Sequence, residues 1–225
     1  MRLLTSLTLA AAAVALYPAA LSILATPAQA SSNLVVNGDF ELGNTGFTSD
    51  YNYYTGGDPG PSWETVGTNG QVNNGAWNSG GDHTTGTGNF LIVDGNGDST
   101  KSMWNESIGV QTGHTYEVSG WFRSLYPASP ATTQFTIDGS AAGSSILVND
   151  EATWHQNSFL WTATSNTLNL GLVDLNTQGF GNDFGVDDLS VKAVPESSTV
   201  VLFGLLALGG IVMLRKRSAT PKAAA

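Results

Sequence analysis

The sequence between residues 31 and 192 predicts an all-β domain, a sandwich of two antiparallel sheets. Short apolar or alternating runs recur there between clusters of Gly, Asn, Asp and Pro, a pattern typical of strands joined by turns. This part of the chain has no run with the 3.6-residue period of an amphipathic helix. Eight short strands without a helical pattern favour a sandwich. The candidate strands are 34–40, 89–93, 107–111, 115–122, 133–137, 154–162, 167–175 and 185–191.

Alternation along two of these strands predicts which side chains form the core. Successive side chains of a strand point to opposite sides of the sheet, so residues two apart share a face. The apolar faces are Tyr116, Val118 and Phe122 in strand 115–122, and Leu168, Leu170 and Leu172 in strand 167–175. We expect the second sheet to cover both faces.

The segment 43–88 differs from the rest of the domain. It is long, rich in Gly, Asn, Thr and aromatic residues, and poor in aliphatic ones. A connection of this length is typical of a functional or flexible segment. Five of its aromatic side chains lie beside Asn and Asp, and such rings suit the apolar faces and hydroxyls of a polysaccharide. These candidate ligand contacts are Tyr51, Tyr53, Tyr54, Trp63 and Trp77. The alternative is that the same rings close the mouth of the core.

Composition excludes several classes of partner and of stabilising bond. Residues 31–192 form one domain of 162 residues with 17 acidic side chains against three basic ones, a balance of −14. A field of this sign repels phosphate backbones, so we expect no nucleic-acid partner. The chain has no cysteine, which excludes disulfides and thiolate zinc sites. Packing, backbone pairing or a hard cation must stabilise the domain.

Both ends of the chain carry targeting signals. Residues 1–30 read as a signal peptide, with Arg2, an apolar run over 3–24 and a small-residue cleavage site at 28–30. A second apolar run, 199–214, is followed by a basic cluster and predicts a transmembrane helix whose charged end faces the cytoplasm. The ectodomain between them, 31–193, is then exported, and 218–225 forms a disordered tail. The alternative of a buried core helix lacks a polar face.

The carboxyl-terminal segment "VPESSTVVLFGLLALGGIVMLRKR" resembles the PEP-CTERM sorting tail of Gram-negative bacteria. The resemblance covers 194–217 and implies an inner-membrane-anchored precursor that an exosortase cuts near Pro195 and Glu196. The product would go to the cell surface or the extracellular matrix. Ser197 departs from the family pattern, which usually has a second proline there. The residues of the processing signal are Val194, Pro195, Glu196, Arg215, Lys216 and Arg217.

The ectodomain resembles the galactose-binding-like jelly rolls found in carbohydrate-binding modules. The matching stretches, in order, are "NLVVNGDFELGNTGFTSDY", "GDHTTGTGNFLIVDG", "GVQTGHTYEVSGWF", "TWHQNSFLWTA" and "NTQGFGNDFGVDDLSV". The resemblance implies a jelly-roll sandwich and one structural calcium ion where the first strand meets the last. Its ligands would be Glu41 and Asp187, with Asp39 and Asp188 as neighbours.

The expected burial of the Asp187 carboxylate also favours a cation site. Asp187 shares parity with Leu189 and Val191, so it is expected to point into the core, where a charge needs a partner. The alternative is that these acids are turn residues that bond backbone amides or solvent. A separate stretch, "DGNGDST", places Asp94 and Asp98 at calcium-loop positions. It lacks the Gly and the final carboxylate of such a loop and follows a predicted strand, so we interpret it as a turn.

The sequence does not predict an enzyme. Its histidines lie in no zinc-binding spacing and beside no plausible nucleophile, and the nucleophile-elbow and nucleotide-binding motifs are missing. His83 is expected to be a turn residue held by Asp82 and nearby hydroxyls. The two resemblances, together with the aromatic segment, imply a non-catalytic surface or matrix protein that associates with polysaccharide. The alternatives are a structural or adhesive protein that binds proteins or itself and, less favoured, a glycan-active hydrolase.

Overall fold

The computed structural model describes residues 31–54, 61–151 and 153–195. The predicted signal peptide and most of the predicted sorting tail lie outside these ranges. Within them, no helix is long and apolar enough to cross a membrane. The strands are β1 (Asn52–Tyr53), β2 (Trp63–Gly67), β3 (Phe90–Asp94), β4 (Ser102–Gly109), β5 (Thr115–Tyr126), β6 (Ala131–Ile137), β7 (Ser140–Val148), β8 (His155–Thr162), β9 (Thr167–Asp174) and β10 (Asp183–Ala193), and a single 3-10 turn spans Gly70–Val72.

The strands form two sheets, which confirms the predicted all-β sandwich. One sheet has six strands in the order β1-β2-β3-β10-β5-β8, and the other has four in the order β4-β9-β6-β7. The strand pairs are antiparallel except β1 with β2. The last strand, β10, lies between β3 and β5. The end of the domain therefore occupies the middle of the larger sheet.

The main core fills the space between the sheets. The two predicted faces are confirmed, because the alternating side chains of β5 and β9 belong to one buried cluster. Trp104, Phe122 and Phe135 lie among them and are fully buried, with Phe122 and Phe135 in edge-to-face contact at 5.9 Å between ring centroids. Each such side chain contributes about 1.5–3 kcal/mol through removal of its apolar surface from water.

A second apolar cluster covers the outer face of the six-stranded sheet. In β3, Leu91 and Val93 belong to the main core, whereas Phe90 and Ile92 belong to a cluster with Trp63, Trp77 and Leu125. Consequently β3 is buried on both faces. The chain between β2 and β3 folds back over the sheet to bring Trp77 there. The aromatic segment is thus an extra layer of the fold.

Segment 34–40 is not a strand, contrary to the prediction. Asn37 and Phe40 have left-handed φ angles of 57° and 55°, so the segment is a succession of turns. It still attaches to the last strand, since the Leu34 amide donates to the Val191 carbonyl at 2.9 Å. The structure also contains β1, β2 and β7, which the sequence pattern did not reveal. β7 is built largely of Ser, Ala and Gly, so its apolar signal is weak.

Several carboxyl groups are buried within the fold without a cation beside them. Among the described residues the ion pairs are confined to two His–Asp contacts. Burial raises the pKa of Glu64 to about 7, of Asp174 to about 6 and of Asp183 to about 8. For Asp183 the adjacent Asp94 raises the pKa further, through its charge and through a hydrogen bond between the two side chains. The folded state therefore favours the protonated form of these acids.

We expect the protein to become more stable as the pH falls from about 8 to about 5. The folded-state pKa of each buried acid exceeds its unfolded value near 4, so the folded state binds more protons across this range. Stability is fully present below the unfolded pKa and is lost as the pH rises through about 6 to 8. Thermal unfolding in chelator should show a Tm several degrees lower at pH 8 than at pH 5.

The variant Asp183→Asn tests the cause of this pH dependence. It keeps the shape of the side chain but cannot ionise, so the Tm at pH 8 should rise and the pH slope should become shallower. Glu117→Gln makes the same charge change at an exposed position of β5 and should leave the slope intact. A wild-type Tm that increases from pH 5 to pH 8 would contradict the expectation.

Candidate functional site

A bulge in β10 decides where the predicted cation ligands lie. Asp187 pairs with Trp121 and Ser190 pairs with Ser119, so β10 has one more residue than β5 between these pairs. Asp188 takes a left-handed φ of 47° at this point. The bulge reverses the alternation of side chains. The parity prediction for Asp187 is therefore wrong: this side chain lies on the outer face of the sheet with Trp121, opposite the core.

Asp187 is nevertheless buried, because the loop 82–88 covers it. It is 1% exposed, and its Oδ2 accepts a hydrogen bond from the His83 amide at 2.8 Å while its Oδ1 accepts from the Asp188 amide at 2.8 Å. Burial raises the pKa of Asp187 to about 7, and the charges of Asp188 and Asp82 add to the shift. The carboxyl group thus has two backbone donors and two acidic neighbours.

His83 is held by Asp188, and the expectation that Asp82 holds it is wrong. The His83 Nδ1 lies 2.6 Å from the Asp188 Oδ2, which also accepts from the Thr84 hydroxyl at 2.6 Å. The imidazole stacks on Trp121 with 3.8 Å between ring centroids. Asp82 instead accepts from the amides of Thr85 and Gly88 within its own loop, at 2.8 and 2.7 Å. These contacts fix the loop to the sheet.

The predicted calcium ligands come only partly together. Glu41 and Asp82 converge on Gly88, where a Cβ atom would lie 2.2 Å from the Glu41 Oε1 and 3.1 Å from the Asp82 Oδ2. Glu41 Oε1 also accepts from the Asn89 amide at 2.8 Å. Asp39 and Asp188 line a polar pocket of about 520 Å³. Within the described ranges, no three His, Cys, Asp or Glu side chains stand close enough to share a metal ion.

The donor chemistry of these side chains fits a hard cation. The observed hydrogen bonds instead follow the alternative that these acids are turn residues bonded to backbone amides. Glu41 and Asp187 offer the carboxylate oxygens that Ca²⁺ prefers. Each of these carboxylates accepts at least one backbone N–H, as turn residues would. Calcium binding by Glu41, Asp187, Asp39 and Asp188 stays a prediction.

Three of the five predicted ligand-contacting rings are buried. Trp63 and Trp77 are 2% and 3% exposed and stack at 5.4 Å between ring centroids, and Tyr51 lies in the main core. The expectation of exposed rings is wrong for these three, because they close the apolar clusters. Tyr54 packs on Trp63 at 4.7 Å, whereas Tyr53 is 50% exposed. Ligand contact through Tyr53 and Tyr54 stays a prediction.

The structure shows a groove that the sequence did not reveal, on the outer face of the four-stranded sheet. Its volume is about 1240 Å³, larger than the pocket of a typical small-molecule site. The segment 46–50 forms one border, where Thr48 pairs with Asn105 of β4. Polar side chains of β4, β6 and β9 form the floor: Asn105, Ser107, Gln134, Thr136 and Asn169.

Gly171 leaves the middle of this floor open. A Cβ atom at this position would lie 2.6 Å from the Thr136 Oγ1 and 2.7 Å from the Asn105 Oδ1. Beside it a row of hydrogen bonds crosses the sheet, because the Ser107 hydroxyl donates to Asn169 at 2.9 Å and Asn169 donates to Asp138 at 2.8 Å. The groove therefore has an ordered polar floor that suits hydroxyl-bearing ligands.

The groove is also acidic. Asp50, Glu106 and Asp138 line it, and Lys, Arg and His do not occur among its lining residues. The Val36 amide lies 3.0 and 3.2 Å from the two oxygens of Glu106, whose pKa is raised by burial. The Ser102 amide donates to Asp50 at 2.9 Å. Glu106 pairs with Leu170 of the core, so its side chain lies on the inner side of β4, and Asp50 and Asp138 are the carboxylates at the borders of the neutral polar floor.

The groove could not be predicted from the sequence because its polar residues resemble those of any solvent-facing sheet. The outward positions of β4 and β9 are polar, but polar side chains on the solvent face are usual for any antiparallel sheet. Only the packing of segment 46–50 along β4 turns that face into a groove, and this packing depends on tertiary hydrogen bonds that link Thr48 to Asn105 and Asp50 to Ser102.

Trp77→Ala should distinguish a packing role from a surface role for the aromatic segment. Because Trp77 is buried against Trp63, we expect the free energy of unfolding to fall by about 3–5 kcal/mol. Tyr53→Ala removes an exposed ring and should change it by less than about 0.5 kcal/mol. Urea unfolding of both variants measures the difference. Equal effects would contradict the buried placement of Trp77.

Comparison with known proteins supports the fold. No family model matches the sequence, and no curated protein is similar to it. Among solved structures, the chain is similar to TmCBM61 in complex with β-1,4-galactotriose, at 13% identity and a TM-score of 0.50, covering 73% of this chain and 100% of that one. It is also similar to the CBM22-1 xylan-binding domain of Paenibacillus barcinonensis Xyn10C, at 17% identity and a TM-score of 0.49, covering 76% and 99%. A third similar structure is the enzymatically active domain of bacteriophage CBA120 tailspike protein 4, at 14% identity and a TM-score of 0.45, covering 72% and 21%. The structural neighbours thus include carbohydrate-binding modules with a β-sandwich fold, the architecture observed for this chain.

Proposed function

We propose that the protein is an exported, non-catalytic surface or matrix protein that associates with polysaccharide through the groove of the four-stranded sheet. The observation that carries the proposal is the groove itself, with its ordered floor of amide and hydroxyl groups. These groups can donate to and accept from sugar hydroxyls. The volume of the groove suits a chain of sugars rather than one small molecule.

The shared fold supports this proposal without identifying the sugar. The similar TmCBM61 structure contains a β-1,4-galactotriose. A fold of this kind can carry different functions, so the ligand must be argued from the groove of this chain. Carbohydrate association is the function that agrees with both the fold and the polar groove.

Export and sorting form the second part of the proposal. The sequence signals are the segment 1–30 and the exosortase signal from Val194 to Arg217. The last strand ends at Ala193, and the Val194 amide still donates to the Thr115 carbonyl at 2.8 Å. The sorting signal therefore begins where the folded domain ends, and Val194 and Pro195 are exposed. Cleavage near Pro195 and Glu196 would leave the sandwich intact.

Filling the floor of the groove tests the proposed binding site. Gly171→Ala places a methyl group between Thr136 and Asn105, so we expect affinity for a polysaccharide to fall by about tenfold, which is about 1.4 kcal/mol. Affinity gel electrophoresis against a panel of polysaccharides measures this loss in the full chain. Gly109→Ala is the matched control, because a Cβ atom there meets no other atom within 4 Å.

Two outcomes would oppose this site. If Gly171→Ala binds normally and Tyr53→Ala does not, the ligand contacts the aromatic segment instead. If no polysaccharide binds and the protein self-associates, the adhesive alternative is correct. Thermal unfolding of Gly171→Ala shows whether a loss of binding reflects a loss of fold.

A structural calcium ion belongs to the proposal and has its own test. Two observations support the ion. The Asp187 carboxyl group is buried beside the acidic side chains of Asp82 and Asp188, and it has no ion pair within the described residues. Glu41 and Asp82 also approach each other at Gly88. Calcium at about 100 times its Kd should stabilise the protein by about 2.7 kcal/mol, a Tm increase of roughly 5–10 °C over chelator. Glu41→Gln should abolish the increase and Glu117→Gln should keep it. An unchanged wild-type Tm rules out the site.

A further inference from the structure

We infer that the ligand of the groove is a polysaccharide with free amino groups, such as a glucosamine polymer, rather than a neutral or uronate polymer. This inference rests on the proposed function and assigns its substrate class. It follows from the distribution of charge around the groove and from the scarcity of aromatic surface in its lining.

The carboxylates stand on both sides of the groove. Asp50 lies on the segment 46–50, which borders β4, and its Oδ2 accepts a hydrogen bond from the Ser102 amide at 2.9 Å. Asp138 follows the last residue of β6. Because β9 lies between β4 and β6, these two carboxylates stand on opposite sides of the floor. An amino sugar that lies across the floor can therefore meet a carboxylate at either border.

Backbone geometry fixes the Asp138 carboxylate. Asp138 and Gly139 form the two-residue turn between β6 and β7, and both have positive φ angles, of 50° and 76°. This combination is the type I′ turn that Asp-Gly favours. The Asn169 side chain then donates to the Asp138 Oδ1. Its position is thus preorganised, which lowers the entropy lost when a cationic group binds.

The basic side chains of the domain do not neutralise this groove. Lys101 is next to the lining residues Thr100 and Ser102, but it interacts with Asp98. Arg123 is buried on the other sheet, where it donates to the Gly80 carbonyl at 2.6 Å and lies over Trp154. Lys192 lines the separate polar pocket. A uronate polymer would therefore meet carboxylates without a compensating cation.

Aromatic stacking contributes little in this groove. Phe47 is the one aromatic residue in its lining, and its ring packs against Phe40 at 5.7 Å and near Trp104. Neutral polysaccharides gain much of their binding energy from rings that cover the apolar sugar faces. Without an open ring, hydrogen bonds and charge must dominate. The groove consequently favours a cationic sugar over its neutral counterpart.

Binding of three hexasaccharides by the full chain tests the inference. The probes are a glucosamine hexamer, its fully N-acetylated form and a galacturonate hexamer, compared by calorimetry at about pH 6. We expect the glucosamine hexamer to bind about tenfold more tightly than the N-acetylated form, and the uronate not to bind. Because the attraction is electrostatic, the preference should largely disappear in about 0.5 M salt.

Isosteric variants locate the charge. Asp138→Asn keeps a residue that tolerates the left-handed conformation and should weaken glucosamine binding about twofold to fivefold, with binding of the N-acetylated hexamer unchanged. Asp50→Asn should act in the same direction. Glu117→Gln changes the net charge equally on the other sheet and should have no effect.

The outcomes separate this inference from the proposed function. Equal binding of the glucosamine and N-acetylated hexamers, or tighter binding of the uronate, overturns the inference while polysaccharide binding stands. No binding of any hexamer, together with no retention on the polysaccharide panel, overturns both. Preference for glucosamine that survives Asp138→Asn and Asp50→Asn together also overturns the inference, since the charge would then lie outside the groove.

Discussion

Carboxylates held by backbone N–H groups organise this protein. The domain has 17 acidic side chains and three basic ones, so most of its acids cannot find a cation among its own residues. Asp174 accepts from the amides of Thr132 and Asn176 at 2.9 and 3.0 Å, and in this way joins β9 to the start of β6. Asp82 and Asp187 play the same role for the loop that covers the outer face. Backbone donors of this kind offset the cost of burying a charge and fix the loops at the same time.

Structural features that follow a periodic pattern in the local sequence could be predicted, and features without such a pattern could not. The faces of β5 and β9 were predicted correctly because each alternates over a full strand and the second sheet covers it. Segment 34–40 was not, because "LVVNGDF" combines a β-rich composition with two left-handed residues, and only contacts with β10 keep it as a turn. The bulge at Asp188 has no periodic signal either. One extra residue there reversed the predicted orientation of Asp187.

The candidate site was harder to predict, for a related reason. The aromatic rings of segment 43–88 gave a strong compositional signal, yet Trp63 and Trp77 serve as an apolar cover for β3. The groove gave a weak signal, since Asn105 and Asn169 look like ordinary solvent-facing residues of a sheet. Composition indicated which residues are unusual for the domain, but only tertiary packing determined which of them contact solvent.

The two faces of the sandwich therefore have different roles. The outer face of the six-stranded sheet is buried under the segment that carries Trp77, while the outer face of the four-stranded sheet carries the groove. Gly171 keeps that second face open, and Asp50 and Asp138 set its charge. The shortage of basic residues that leaves Asp183 and Asp187 without cations inside the fold also leaves these groove carboxylates without them at the surface. A single property of the composition thus governs how the fold responds to protons and, under the proposed function, which ligands its open face would attract.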